Sequence, residues 1–186
     1  MKKHLAKANF RRVLLKALCA TLAVLGLVNH GDGQAQMEEH EAKAAFVLKL
    51  INFVEFPASG QNSLTIGTIG ADETGDALVK LATGKSVNGK GVVVKRLAPD
   101  ADLKGIDVLY IGSSQAKNLA TLLDRARGVN VLTIGETDGF DQRGGIVNLL
   151  VSEGRIKFEV NPHAAEKAHM QISSRLLSLA TIVNGG

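Results

Sequence analysis

The stretch IDVLYIGSSQAKNLATLLDRARGVNVLTIG, residues 106–135, decides the fold. Its two ends, IDVLYIG (106–112) and VNVLTIG (129–135), are apolar runs of strand length. Between them Ser113 or Ser114 can cap a helix running to Arg127. The runs are continuous rather than alternating, which suits strands covered by helices on both faces. A strand–helix–strand unit of this kind builds an open sheet with parallel neighbours.

The same order extends outward. LTIGTIG (64–70) is a strand, Glu73 to Ala82 a short helix, and GVVVKRL (91–97) a strand that follows the Asn88-Gly89 turn signal. On the other side, GIVNLLVSEGRIKFEV (145–160) divides at Ser152-Glu153-Gly154 into a hairpin. Asn161 then caps a helix with Pro162 at its first position. A last helix, SSRLLSLATIV (173–183), places Leu176, Leu177, Ala180 and Val183 at core spacing. Towards the N-terminus, EEHEAKAAFVLKLINFVE (38–55) reads as a helix that stops before Pro57. Glu38, Glu39 and Glu41 sit at the positive end of its dipole. Its apolar residues cover more than one stripe, so it is either sandwiched in the domain or partly covered by a second chain. The fold class expected is α/β: a three-layer open sheet, mostly parallel, with a C-terminal β-hairpin and two C-terminal helices.

Residues 1–35 have another character. Lys2, Lys3, Lys7, Arg11, Arg12 and Lys16 form a basic head, Ala17 to Val28 an apolar stretch, and Gly33 and Ala35 the small residues before a cut at Ala35–Gln36. This is the layout of a secretory signal peptide, with an apolar core short of the ~20 residues of a spanning helix; an uncleaved N-terminal anchor is the alternative reading. Removing residues 1–35 leaves 16 of the 22 Lys and Arg and 17 of the 18 Asp and Glu, so the net charge falls from +4 to −1. No nucleic-acid partner is expected on that balance. The single cysteine, Cys19, leaves with the leader, so the mature chain has no thiol for a disulfide and relies on its core. Residues 36–186 suit one domain that buries about 70% of its unfolded surface. No later run is long enough to span a membrane.

Short motifs for chemistry are weak. ATGKS (82–86) lacks the earlier glycine of a phosphate loop, since Val79 stands there, and it follows a helix instead of a strand. GTIGAD (67–72) and IGSSQA (111–116) lack the glycine spacing of a dinucleotide fingerprint and of a nucleophile elbow. His40, His163 and His169 show no metal-ligand spacing. No cofactor and no metal are expected.

IGETDGFDQRGGIVNLL (134–150) stands apart, because it follows an apparent parallel strand whose carboxyl end is where open α/β sheets bind ligands. Glu136, Asp138 and Asp141 lie among polar residues and glycines and read as solvated carboxylates. Arg143 offers five donors to an anion or a carboxylate. Phe140 supplies an apolar anchor, and Gly144-Gly145 allows unusual backbone angles. The stretch is a structural loop, a recognition surface, a small-ligand pocket or, least in keeping with its residues, a catalytic centre.

Beyond these readings, the chain resembles the YfiR family of periplasmic signalling proteins. The resemblance runs from about Glu39 to Val183, in KAAFVLKLINFVEFP (43–57), GKSVNGK (84–90), DVLYIGSS (107–114), TIGETDGFDQRGGIVNLL (133–150), GRIKFEVN (154–161) and ISSRLLSLA (172–180). It implies a non-enzymatic, dimeric periplasmic protein. Such proteins repress an inner-membrane diguanylate cyclase by binding its periplasmic sensor domain, which lowers cyclic-di-GMP and biofilm formation. The positions that match the family are Phe46, Phe53, Pro57, Gly139, Phe140, Gly144, Gly145 and Arg175. Some relatives couple repression to redox state through cysteines; the mature chain has none. Expected contact residues for a partner or ligand are Glu136, Asp138, Phe140, Asp141, Arg143 and Arg175. The alternative is a periplasmic small-solute-binding protein without a cyclase partner.

Overall fold

The structure, a computed structural model, describes residues 31–57 and 61–185. The chain divides after Gln36, and the unit Met37–Gly186 carries the sheet. The leader expected at residues 1–35 lies almost wholly outside the described residues. Among the described residues, no helix is long and apolar enough to cross a membrane.

The elements in chain order are α1 (Gly31–Leu50), a 3-10 turn (Ile51–Phe53), β1 (Val54–Glu55), β2 (Ser63–Ile69), α2 (Glu73–Ala82), β3 (Ser86–Val87), β4 (Lys90–Leu97) and β5 (Val108–Ile111). After a second 3-10 turn (Ser113–Gln115) come α3 (Leu119–Arg127), β6 (Leu132–Gly135), β7 (Val147–Ser152), β8 (Arg155–Val160), α4 (Pro162–Lys167), β9 (Gln171–Ile172), α5 (Ser174–Leu177) and β10 (Thr181–Ile182). Eight strands form one sheet in the order β10-β8-β7-β6-β5-β2-β4-β3, and β1 pairs with β9 in a small second sheet. Neighbours from β4 through β7 run parallel. The β3–β4 and β7–β8 pairs are antiparallel hairpins. Their turns, Asn88-Gly89 and Glu153-Gly154, hold both residues at positive φ (49° and 78°, 54° and 68°), the mirror-image turn that matches strand twist.

Alternation along the strands separates two cores. In β5, Val108 and Tyr110 join a cluster with Ala44, Val47 and Leu50 of α1 and Leu78 of α2. Leu109 and Ile111 join another with Leu119, Leu122 and Leu123 of α3. Side chains of successive strand residues point to opposite faces, so the domain has the three layers expected. Burial of every residue of β5 and β6 accounts for their unbroken apolar sequence.

Three expectations change at their edges. The first helix starts at Gly31 and ends at Leu50. The chain then tightens into the 3-10 turn and leaves as β1, because Val54 and Glu55 pair with Ile172 and Gln171. This helix buries Lys43, Ala44, Val47 and Leu50, packs the partly buried Phe46 and Leu48 against the same core, and turns Ala42, Ala45 and Lys49 outward. Ser113 and Ser114 form a 3-10 turn, and α3 starts only at Leu119, after Asn118. The last helix is a single turn, capped by Ser173 on Leu176 N. The β-branched Thr181 and Ile182 extend instead along Glu159 and Val160 of β8.

Candidate functional site

At the carboxyl ends of β2, β5 and β6, α1 meets the loop after β6 and the start of α2. A chain of polar side chains lies there, nearly closed to solvent at Lys43 and Glu136 and open at Glu39 and Glu73. Lys43 occupies the stripe of α1 otherwise filled by Ala44, Val47 and Leu50. A cation on that stripe must be paired. Its Nζ donates to Glu136 Oε2 at 2.8 Å and lies 2.8 Å from Glu39 Oε1, one helical turn earlier. Only 10% of the Lys43 side chain and 7% of Glu136 are exposed. Tyr110, the only tyrosine of the sequence, donates from its hydroxyl to Glu136 Oε1 at 2.8 Å. Both oxygens of Glu136 are therefore engaged, and the loop after β6 is locked to α1 and β5.

The chain continues across α2. His40 Nδ1 is 2.7 Å from Thr74 Oγ1 and His40 Nε2 is 3.0 Å from Glu73 Oε2. Asp72 caps α2, accepting from Gly75 N at 2.8 Å through Oδ1. Its other oxygen, Oδ2, is buried without a hydrogen-bond partner and packs where a side chain at Gly112 would begin.

Burial sets the electrostatics. It pushes the Asp72 carboxyl above its ordinary value, against the opposing bond from Gly75 N. Burial, reinforced by the charge of Glu136, raises the Tyr110 phenol, so Tyr110 acts as a neutral donor. For Lys43, burial lowers the ammonium, but its bonds to Glu136 and Glu39 outweigh that and hold it above 10.5. These are the signatures of groups held in fixed roles.

The loop between β6 and β7 is built around a ring. Phe140 is fully buried, and its ring lies between Gly135 and Gly145. A Cβ at either glycine would stand 2.3 Å and 2.1 Å from ring carbons. Absence of a side chain at both positions is what admits the phenyl group. Asp141 is equally buried. Its Oδ1 accepts from Gln142 N at 2.9 Å, while Oδ2 has no partner. The Asp141 carbonyl accepts from Asn161 Nδ2 at 2.9 Å, and the same amide donates to Gly185 O at 2.6 Å.

The residues singled out in the sequence thus separate. Glu136, Phe140 and Asp141 point inward, which corrects the reading of the two acids as solvated and places Phe140, read as an apolar anchor, inside the domain. Phe140 and Asp141, wholly enclosed, offer no side-chain surface to a partner. Asp138 and Arg143 are exposed on the outer side of the loop. Arg175 lies elsewhere, its guanidinium 5.9 Å from the centre of the Phe53 ring. Lys43, Tyr110 and Asp72 escaped the sequence reading as site residues, and His40 was weighed there only as a metal ligand. Signals for two of them were present: a lysine on a buried stripe for Lys43 and a lone tyrosine in an apolar strand for Tyr110. Among the described residues, no group of three or more His, Cys, Asp or Glu could hold a metal ion.

Comparison with known proteins places this geometry. The family model described as YfiR/HmsC-like matches residues 40–181, a span that holds the polar chain from His40 to Glu136 and the whole loop. No curated protein matches the chain. Among solved structures, a conserved domain protein from Vibrio cholerae O1 biovar eltor str. N16961 is similar with a TM-score of 0.54 and 16% identity, over 77% of this chain and 59% of that one. The ABC domain in complex with L-Trp from Streptococcus pneumonia is similar with a TM-score of 0.55 and 12% identity, over 73% and 59%. At such identities the likeness is one of fold, and the match spans 59% of each of those chains.

Proposed function

The chain belongs to the YfiR/HmsC-like family, and on that premise we propose that it represses an inner-membrane diguanylate cyclase by binding the cyclase's periplasmic sensor domain. The effect is lower cyclic-di-GMP and less biofilm. The family is one of periplasmic regulators of cyclic-di-GMP signalling, and the protein acts as one of them, by contact and without turnover. Residues 1–35 direct export, and the mature domain works as a homodimer.

The observation that carries this reading is the family match over residues 40–181. The construction of the loop supports the choice of surface. Lys43, Tyr110 and the buried Phe140 fix the loop from inside, so Asp138 and Arg143 are held out on a stiff support. A pre-organised contact loses less entropy on binding than a mobile one. Arg143 meets an acidic or carbonyl-rich patch of the sensor domain, Asp138 a basic group, and Arg175 with Phe53 provides a second contact. Glu136, Phe140 and Asp141 shape the loop rather than touch the partner.

The experiment is a cross-linking capture from membranes with the mature protein as bait. Recovery of a diguanylate cyclase through its periplasmic domain supports the proposal. Recovery of no cyclase by the wild-type protein speaks against it.

A further inference from the structure

On the face of the sheet that carries α3, a cavity of about 390 Å³ opens between α3, α4 and the segment entering β7. Its inner wall is apolar: Leu123, Val131 and Ile146 are all buried. Small residues such as Ala168 leave the space unfilled. The exposed residues of the lining include two cations, Arg127 and Lys167. An apolar interior with positive charge at its opening complements an apolar body bearing one negative group. The volume lies towards the lower end of the roughly 300–1,000 Å³ range of small-molecule sites.

Arg127 has the freedom to serve. Its Nη1 lies 2.8 Å from Asp124 Oδ1, in a pair whose side chains are 56% and 65% exposed. Such pairs contribute little and exchange readily for a carboxylate that binds the guanidinium in bidentate fashion. Arg127 Nη2 also donates to the Arg143 carbonyl at 3.0 Å, so what Arg127 binds is felt in the turn at Arg143 and Gly144.

We propose that this cavity binds a medium-chain amphipathic monocarboxylate, its tail against Leu123, Val131 and Ile146 and its carboxylate on Arg127. The site stands on the cavity and its charges, and needs no cyclase.

The test is isothermal titration of the purified protein with octanoate and, in parallel, with the neutral octanamide. Octanoate should bind with a dissociation constant of about 1 mM or tighter, and octanamide at least about tenfold more weakly, since it lacks the charge that strengthens the bond to Arg127. Arg127→Gln should remove that preference. Ala168→Leu, which fills the space while leaving Arg127 in place, should abolish binding of both. In amide NMR spectra octanoate should shift the Arg143 and Gly144 resonances. No binding of octanoate, equal binding of the two probes, or binding unaffected by Ala168→Leu overturns the proposal. A protein that binds octanoate yet captures no cyclase would keep this site and lose the repressor reading.

Discussion

Lys43 on the first helix and Glu136 after the fourth parallel strand are 93 residues apart in sequence and 2.8 Å apart in the fold. The pair fastens α1 across the carboxyl edge of the sheet and holds the loop that presents Asp138 and Arg143. Removing one member leaves the other charged and nearly buried, which costs far more than removing both. Lys43→Met should therefore lower stability by about 3 kcal/mol, and Lys43→Met with Glu136→Gln should recover much of that loss. A double-mutant cycle by urea denaturation measures the coupling; simple additivity of the two substitutions would show that the contact contributes nothing.

The same pair has a pH window. Lys43 titrates above 10.5 in the folded protein, so its contribution is fully present below 10.5 and is lost as pH rises through the raised folded value. Asp72 shows the same sign for a different reason. Its carboxyl is raised above 3.8 by burial, so the folded state holds that proton more tightly. Stability relative to Asp72→Asn, which retains a capping oxygen, should fall as pH rises from about 3.8 through the folded value. Thermal unfolding of both proteins across acid pH follows the difference. A gap that widens in the opposite direction would contradict the burial of Asp72.

Gly135 and Gly145 test the packing of Phe140. Either glycine changed to alanine places a methyl group more than an ångström inside normal contact with the ring. Overpacking of this kind costs typically ~1–3 kcal/mol. The smaller Phe140→Leu should partly rescue Gly145→Ala while itself lowering stability in the wild-type background. Equal stability of Gly145→Ala and the wild type by calorimetry would place the ring elsewhere.

Asn161 serves three segments. Its Oδ1 accepts from Ala164 N at 2.9 Å as the cap of α4, while its amide donates to the Asp141 and Gly185 carbonyls. Asn161→Asp keeps the cap and turns a carboxylate oxygen towards two carbonyls. A loss of about 2 kcal/mol or more is expected by chemical denaturation. A near-neutral result would mean that the cap alone matters.

Much of this architecture was legible in the chain. The continuous runs at 106–112 and 129–135 and the Glu73–Ala82 helix gave the parallel three-layer core, because burial on both faces writes itself as unbroken apolar sequence. Asn161-Pro162 marked the start of α4 for the local reason that a cap and a fixed φ suit that position. The C-terminal segment was misread because Leu176, Leu177 and Ala180 fit a helical stripe, whereas the pairing of Thr181 and Ile182 with β8 is a tertiary choice. The loop was found, but its orientation was not. Glu136 and Asp141 look alike to Asp138 in sequence; Lys43 and Tyr110 set Glu136 apart, and Asn161, holding the Asp141 carbonyl, sets Asp141 apart, all three distant in the chain. The role of Phe140 needed Gly135 and Gly145 to be seen on either side of one ring.

Repression through the outer side of this loop is tested most directly by cellular cyclic-di-GMP in a strain lacking the gene, complemented with the wild type or with Arg143→Glu. Arg143 is exposed, so the variant should melt within a degree or two of the wild type, as most surface substitutions do. Cyclic-di-GMP should rise in the deletion strain, return to its original level with the wild type, and stay high with Arg143→Glu present at equal abundance. An unchanged level on deletion, or full restoration by Arg143→Glu, would contradict repression through this surface.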